Sequence, residues 1–193
     1  MADFKTAYSK TMGHEGGYTH DPDDVGGETY KGIARKYNGD WDGWVTIDEC
    51  KKMVSCDKFP ECLDDKDDLQ DSVHSFYKEK YWDVNKLDSI SSQAVAEEMF
   101  DTGVNMGVGR AAKFLQTSLN YLNRNGSLYN DLTVDGAIGG ASLGALNKIL
   151  SGGDEKILLT MLNVLQGNHY MEYMNKSPSQ EKFARGWFKR VSL

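Results

Sequence analysis

Residues 14–34 read HEGGYTHDPDDVGGETYKGIA, and this stretch separates a helical start from all that follows. Upstream, Phe4, Tyr8, Thr11, Met12 and Glu15 recur at helical spacing, which predicts a helix over residues 3–14 with one apolar face. Gly16 and Gly17 stop it, because glycine accepts the left-handed backbone that closes a helix. Downstream, an Asp-Pro-Asp-Asp turn, the Gly26-Gly27 pair and short β-prone pieces predict a small hairpin or irregular loop. Glu15 is left on the apolar face of the last helical turn. Partial burial and the negative end of the helix dipole both disfavour a carboxylate there. A carboxyl that keeps its proton near neutrality is what a general acid requires. The plainer reading is a solvated glutamate at a fraying helix end.

Asp21, Asp23 and Asp24 follow on a loop that can fold back over that helix end, and Thr29 stands beyond the glycine pair. A protonated carboxyl facing an ionised one across a cleft is the arrangement of a glycosidase. The alternative is a solvated turn, since Asp-Pro and Asp-Asp are common turn formers. Three other chemistries fail on pattern. Tyr18 occupies the place of the second histidine in HExxH. A calcium loop starting at Asp21 would have Val25 at its fifth position and Gly32 at its twelfth. GETYKG lacks the Gly-Lys-Ser/Thr ending of a phosphate loop.

Beyond residue 40 the pattern is helical. Thr46 and Glu49 form a capping-box pair opening a short helix. DDKDDLQDSVHSFYKEKYW follows with an acidic start and an apolar stripe of Leu69, Val73, Phe76 and Tyr77. Ser91 or Ser92 caps a buried helix through SSQAVAEEMFDTGVNMG, and GRAAKFLQTSLNYL is the next helix. VDGAIGG is a turn before the helix ASLGALNKIL. Asp154 caps a long helix to about Lys176, Ser177-Pro178 breaks it, and QEKFARGWFKRV is the last helix, with Lys189 and Arg190 at its C-terminal end. The fold class is mainly α with a small β-hairpin or irregular loop near the N-terminus, divided into residues 1–90 and a helical region over 91–193.

The chain has 193 residues and a formal net charge of −7. That balance argues against general nucleic-acid binding, where a basic face supplies most of the affinity. It does not exclude a sugar cleft. Cys50, Cys56 and Cys62 are odd in number and not in CxxC spacing, so neither a disulfide framework nor a zinc site is indicated. Three free thiols fit a reducing compartment, with one disulfide and a leftover thiol as the alternative. No Sec signal and no apolar run of membrane-spanning length is visible. Synthesis in the cytoplasm then requires delivery by something else. His14, His20, His74 and His169 show no ligand spacing, and neither a metal nor a cofactor is indicated.

The pattern Glu15-Gly-Gly-Tyr18, Asp21-Pro22, Asp24, Gly26-Gly27, Thr29 and Gly32-Ile33 resembles the signature of glycoside hydrolase family 108, a group of N-acetylmuramidases similar to phage lysozymes. The resemblance continues through Tyr81-Trp82, Asp101, Asn105, Gly107, VDGAIG and the closing RGWFKRV. The second half is similar to the region called predicted peptidoglycan binding in the same proteins, and members have also been called putative secretion activators. The resemblance implies a lysozyme-like helical fold, peptidoglycan glycan strands as partner, cleavage of the MurNAc–GlcNAc β-1,4 linkage, and Glu15 as catalytic acid. Eight residues separate Glu15 from Asp24 and four separate Asp24 from Thr29. That is similar to the Glu/Asp/Thr triad of phage-type lysozymes, in which the second interval is one residue longer. Ser142 stands where the family's DGxIG segment usually carries Thr. Delivery to the wall through a holin-like pore or a secretion apparatus completes this expectation.

The mechanism expected is inversion, with Glu15 protonating the glycosidic oxygen and Asp24, with Thr29, orienting a water. It requires carboxyls roughly 6.5–9.5 Å apart, whereas about 5 Å would mean retention. A lytic transglycosylase and a non-catalytic peptidoglycan-binding or secretion-accessory protein are the rival readings. Tyr18, Tyr30 and Trp41 read equally as sugar-stacking rings and as core. Asp21 is a further substrate contact on the loop. Asp101 and Asn105, four residues apart on a helix, serve either as contacts for acetamido and hydroxyl groups or as helix-internal hydrogen-bonding groups. Trp187 and Phe188 read as packing for the last helix.

Overall fold

The computed structural model describes residues 1–12, 16–20, 27–52 and 58–191. Among them the fold is mainly helical with one small antiparallel sheet, as the periodicity predicts. The chain divides into two compact units: Tyr8–Lys80, and Met1–Ala7 together with the chain from Tyr81 onward. Helix α1, Phe4–Met12, begins in the second of these and continues in the first. None of the described helices is long and apolar enough to cross a membrane.

In the unit Tyr8–Lys80, strands β1 (Tyr18–His20), β2 (Glu28–Tyr30) and β3 (Ile33–Ala34) form a sheet in that order. Lys31 and Gly32 make the turn between β2 and β3, with φ of 43° and 78°. A two-residue hairpin loop needs positive φ at both central positions, which glycine supplies freely. The Tyr77 hydroxyl donates to the Lys31 carbonyl (2.8 Å) and fixes the turn. Helix α2, Gly43–Lys52, starts a turn earlier than the sequence indicates, and Thr46 and Glu49 lie inside it. The reason is local. Trp44 N–H donates to the Trp41 carbonyl and Val45 N–H to that of Asp42, so the helix is already nucleated at WDGW. Gly43 is needed there, because a Cβ would meet the Trp41 ring at 2.2–2.6 Å. Helix α3, Asp67–Tyr77, buries the stripe Leu69, Val73, Phe76 and Tyr77. Cys50 is a free, buried thiol and Cys62 is disulfide-bonded. Three free thiols are therefore not what the structure has; an odd count rules out a framework but leaves room for one bridge.

The second unit is helical: α4 (Gln93–Met106), α5 (Val108–Leu122), α6 (Gly140–Ser151), α7 (Glu155–Lys176) and α8 (Ala184–Phe188). Ser92 caps α4, its hydroxyl accepting from Val95 N–H at 3.1 Å. Phe4, Trp82 and Phe100 form an edge-to-face triangle with centroids 5.6–5.9 Å apart, a geometry that aligns ring edge with ring face. Leu115, Leu119, Leu146, Leu158 and Leu162 extend that core.

Two helix-end expectations change in this unit. Asp154 occupies the cap position of α7, but its side chain makes no cap bond and lies 3.9 Å from Arg124 instead. The last helix is not continuous: Pro178–Phe183 is 3-10 and only Ala184–Phe188 is α. Neither piece buries a residue fully, so little tertiary packing sustains a longer helix.

Gln116 ties the VDGAIGG turn to α5. Its amide nitrogen donates to Asp135 Oδ1 (2.8 Å), the Ala137 carbonyl (3.1 Å) and Ser142 Oγ (3.4 Å), and its oxygen accepts from Gly136 N–H (2.9 Å). Gln116 is buried, and four bonds to one amide satisfy it there.

Candidate active site

Glu15, Asp21 and Asp24 lie outside the described residues. The sheet of β1, β2 and β3, which contains Thr29, is described. Pairing aligns Tyr18 with Tyr30, Thr19 with Thr29 and His20 with Glu28, then Thr29 with Ala34 and Tyr30 with Ile33. Alternation puts Thr19, Thr29 and Ala34 on one face and Tyr18, Glu28, Tyr30 and Ile33 on the other. Thr29 is half-buried in the middle strand.

The opposite face is the packed one. Tyr30 is 1% exposed, and its hydroxyl accepts from the Gln70 amide (2.9 Å) while reaching the Leu63 carbonyl at 3.4 Å. Its ring stacks on Trp41 with centroids 6.5 Å apart. Of the two readings open for Tyr30, the structure places it in the core. Trp41 is half-buried, its indole N–H reaching the Ser72 carbonyl at 3.4 Å. Tyr18 is half-buried, edge-on to Phe59 at 4.8 Å and beneath Lys51 Nζ at 5.3 Å.

An ion cluster that the sequence reading missed ties β2 to α2. Arg35 grips Asp48 with two bonds of 2.7 and 2.6 Å and reaches Glu28 at 3.0 Å. Lys51 Nζ bonds the other Glu28 oxygen, and the guanidinium lies 5.1 Å from the Trp44 ring. Bidentate Arg–carboxylate pairing adds geometric definition as well as energy. Burial pushes the Glu28 carboxyl up, but Lys51 and Arg35 outweigh it and hold the group below its usual range. Glu28 is therefore a fixed anion and a poor proton donor.

The Arg35 guanidinium holds Asp48 at about 2, down from 3.8. A depressed carboxyl stabilises the fold fully above its unfolded value and loses that contribution as pH falls through the folded one. Between about pH 4 and pH 2 this pair should cease to support the α2–β2 contact. Asp48→Asn is expected to flatten the acid limb of stability over that interval, measured by denaturant unfolding at a series of pH values. An unchanged limb would show that the pair, a third exposed, is too solvent-screened to matter.

In the helical unit, Asp101 accepts from Arg190 (2.7 Å) and from Gln166 (3.0 Å), so its carboxylate anchors the chain beyond α8 to α4 and α7. Asn105 is exposed and donates to the Asp101 carbonyl one turn back (2.8 Å). Asp101 is thus held by two side chains, whereas Asn105 keeps its amide oxygen open to solvent. Trp187 stacks on Tyr170 with centroids 5.0 Å apart, and Phe188 tilts against the same ring at 6.1 Å. Among the described residues no cluster of His, Cys, Asp and Glu could hold a metal ion.

Comparison with known proteins bears on this geometry. The family model described as Glycosyl hydrolase 108 matches residues 8–107, and that described as Predicted Peptidoglycan domain matches residues 110–192. No curated protein matches the chain. A solved structure titled "Structure of Brucella abortus SagA" is similar at 23% identity, covering 97% of this chain and 88% of that one with a TM-score of 0.61. At that identity the likeness establishes a shared fold. With the first family model spanning more than half of its length, the chain belongs to the glycoside hydrolase 108 family, as a peptidoglycan-acting member that carries the predicted peptidoglycan domain behind the hydrolase region.

Proposed function

We propose that the protein is an N-acetylmuramidase that hydrolyses the MurNAc–GlcNAc β-1,4 linkage with inversion. The observation that carries this reading is the order Glu15, Asp24, Thr29 inside the matched region 8–107, with Thr29 on the sheet face opposite the packed one. Glu15 gives its proton to the bridging oxygen as the bond from the anomeric carbon breaks. Asp24 takes a proton from the attacking water, whose oxygen bonds the anomeric carbon from the other side. Thr29 offers a hydroxyl to hold that water. Positive charge on the ring is stabilised by the Asp24 carboxylate. Residues 1–90 carry this chemistry and residues 91–193 hold the polymer. Asp21 flanks the sugar, whereas Tyr18 lies on the sheet face opposite Thr29, against Phe59 and Lys51.

The ion cluster supports the reading by keeping β2 rigid. A site must hold its groups within a fraction of an ångström to be effective, and Glu28, next to Thr29, is locked by two cations. The test is digestion of purified peptidoglycan followed by proton NMR and mass spectrometry. Free reducing MurNAc ends, with the α-anomer first, are expected. A β-anomer first would make the enzyme retaining. An anhydro-sugar product would make it a lytic transglycosylase, and wall binding with no released ends would make it a non-catalytic accessory protein.

A further inference from the structure

We infer that the helical unit has a saccharide site of its own, in the cavity of about 370 Å³ between α4, α5, α7 and α8, for an N-acetylhexosamine bearing a free carboxylate, the chemistry of an N-acetylmuramic acid unit that carries no stem peptide. The choice of sugar rests on the proposed function above; the site rests on the cavity. A volume of that size is within the range of small-ligand sites. Its walls include Asn105, Arg110, His169, Tyr170, Tyr173 and Trp187.

Three features make these walls suited to such a sugar. The first is aromatic surface. Trp187 lies nearly parallel to Tyr170, with 12° between the ring planes, and Tyr173 tilts toward it at 5.9 Å. Tyr173 is 44% exposed, so its ring is available to the C–H face of a pyranose. The second is a fixed ring. Tyr170 is 4% exposed, and its hydroxyl is buried near the charges of Asp101, Arg190 and Glu98, so the ring on which Trp187 stacks is held in place.

The third feature is charge. Arg110 is exposed, and its guanidinium donates to the Met106 carbonyl at 3.1 Å. No carboxylate among the described residues pairs with it. Burial, and then Arg110 itself, hold His169 below its ordinary value, so that imidazole is neutral and available for hydrogen bonding. Of the charges felt at His169, Arg110 and Lys176 are positive and Glu172 is negative. Arg110 is the one charged side chain among the described residues that line the cavity, in a chain of net charge −7. A neutral sugar would leave that charge unused, whereas a lactyl carboxylate would pair with Arg110. Asn105 has an open amide oxygen for an acetamido N–H.

By spacing alone Trp187 reads as packing and His169 as ordinary; the signal in the sequence is His169 and Tyr173 at i, i+4 on one helix, which places both on the same face.

The experiment titrates wild type, Arg110→Gln and Tyr173→Ala with N-acetylmuramic acid and with N-acetylglucosamine. It follows the Trp187 indole N–H resonance, assigned with Trp187→Phe. Lysis of purified walls by the wild type is measured alongside. N-acetylmuramic acid should shift the Trp187 resonance. Arg110→Gln should weaken it about tenfold or more, as expected for loss of a charge-assisted pair, while leaving N-acetylglucosamine affinity unchanged. Tyr173→Ala should weaken both sugars. No Trp187 response to N-acetylmuramic acid overturns the site, as does an unaltered affinity in Arg110→Gln, whose exposed side chain does not contribute to the core. Lysis with no Trp187 response rejects the site and leaves the hydrolase reading; a response without lysis does the reverse.

Discussion

Replacing Glu15 by glutamine is expected to lower release of reducing ends from peptidoglycan by about 10²–10⁴-fold, the range a positioned general acid contributes, while leaving the melting temperature nearly unchanged. Glutamine keeps the size and hydrogen-bonding reach of the side chain but has no proton to donate at the glycosidic oxygen. The two acids of the ion cluster offer no substitute among the described residues. Glu28 is held ionised by Lys51 and Arg35, and Asp48 sits at about 2 through its grip on Arg35. Neither keeps a proton at the pH where walls are digested. Asp24→Asn is expected to cost much of the rate but less than Glu15→Gln, because a water can still attack a strongly activated anomeric carbon without an ideal base. Turbidity loss on purified walls, paired with reducing-end assay, measures both. Near-normal lysis by Glu15→Gln would remove the proposed acid and with it the muramidase mechanism.

The parts of the fold legible in the sequence are those set by local periodicity and local caps. The stripe of Leu69, Val73, Phe76 and Tyr77 appears in the structure as the buried face of α3, and Ser92 caps α4 through its own hydroxyl. What stayed illegible was decided by distance along the chain. Arg35 is thirteen residues from Asp48 and seven from Glu28, and no periodic rule links them. Gln116 reaches partners nineteen to twenty-six residues away. Thr46 and Glu49 looked like a helix start because the pattern is right, yet Trp41 packed over Gly43 starts α2 a turn sooner. Tyr30 was open between core and cleft until register fixed it on the packed face with Ile33. The proposed sites divide in the same way: residue types and spacing suggest Glu15, Asp24 and Thr29, whereas Arg110 and Tyr173 enter a proposal only once α5 and α7 share a cavity.

Gly136→Ala is expected to be the most destabilising single-atom addition in the helical unit, and Gly153→Ala supplies its control. Both glycines have φ of +84°, so both substitutions incur the left-handed backbone penalty of roughly 1–2 kcal/mol. Around Gly153 a new Cβ meets nothing within 4 Å. At Gly136 it would lie 2.9 Å from the Gly109 carbonyl oxygen and 3.2 Å from Lys113 Cε. The lysine can swing away, but the carbonyl belongs to the first turn of α5 and cannot. Relief requires moving the turn, and that loosens the Gly136 N–H bond to Gln116 and the Asp135 bond beside it. Overpacking against fixed structure adds about 1–3 kcal/mol. Gly136→Ala should therefore cost about 2–5 kcal/mol in total, lowering the melting temperature by about 2–4 °C for each kcal/mol in a chain of this size. Gly153→Ala should show only the backbone part. Equal melting temperatures for the two variants would mean that the VDGAIGG turn yields without strain, and that Gln116 does not hold it against α5.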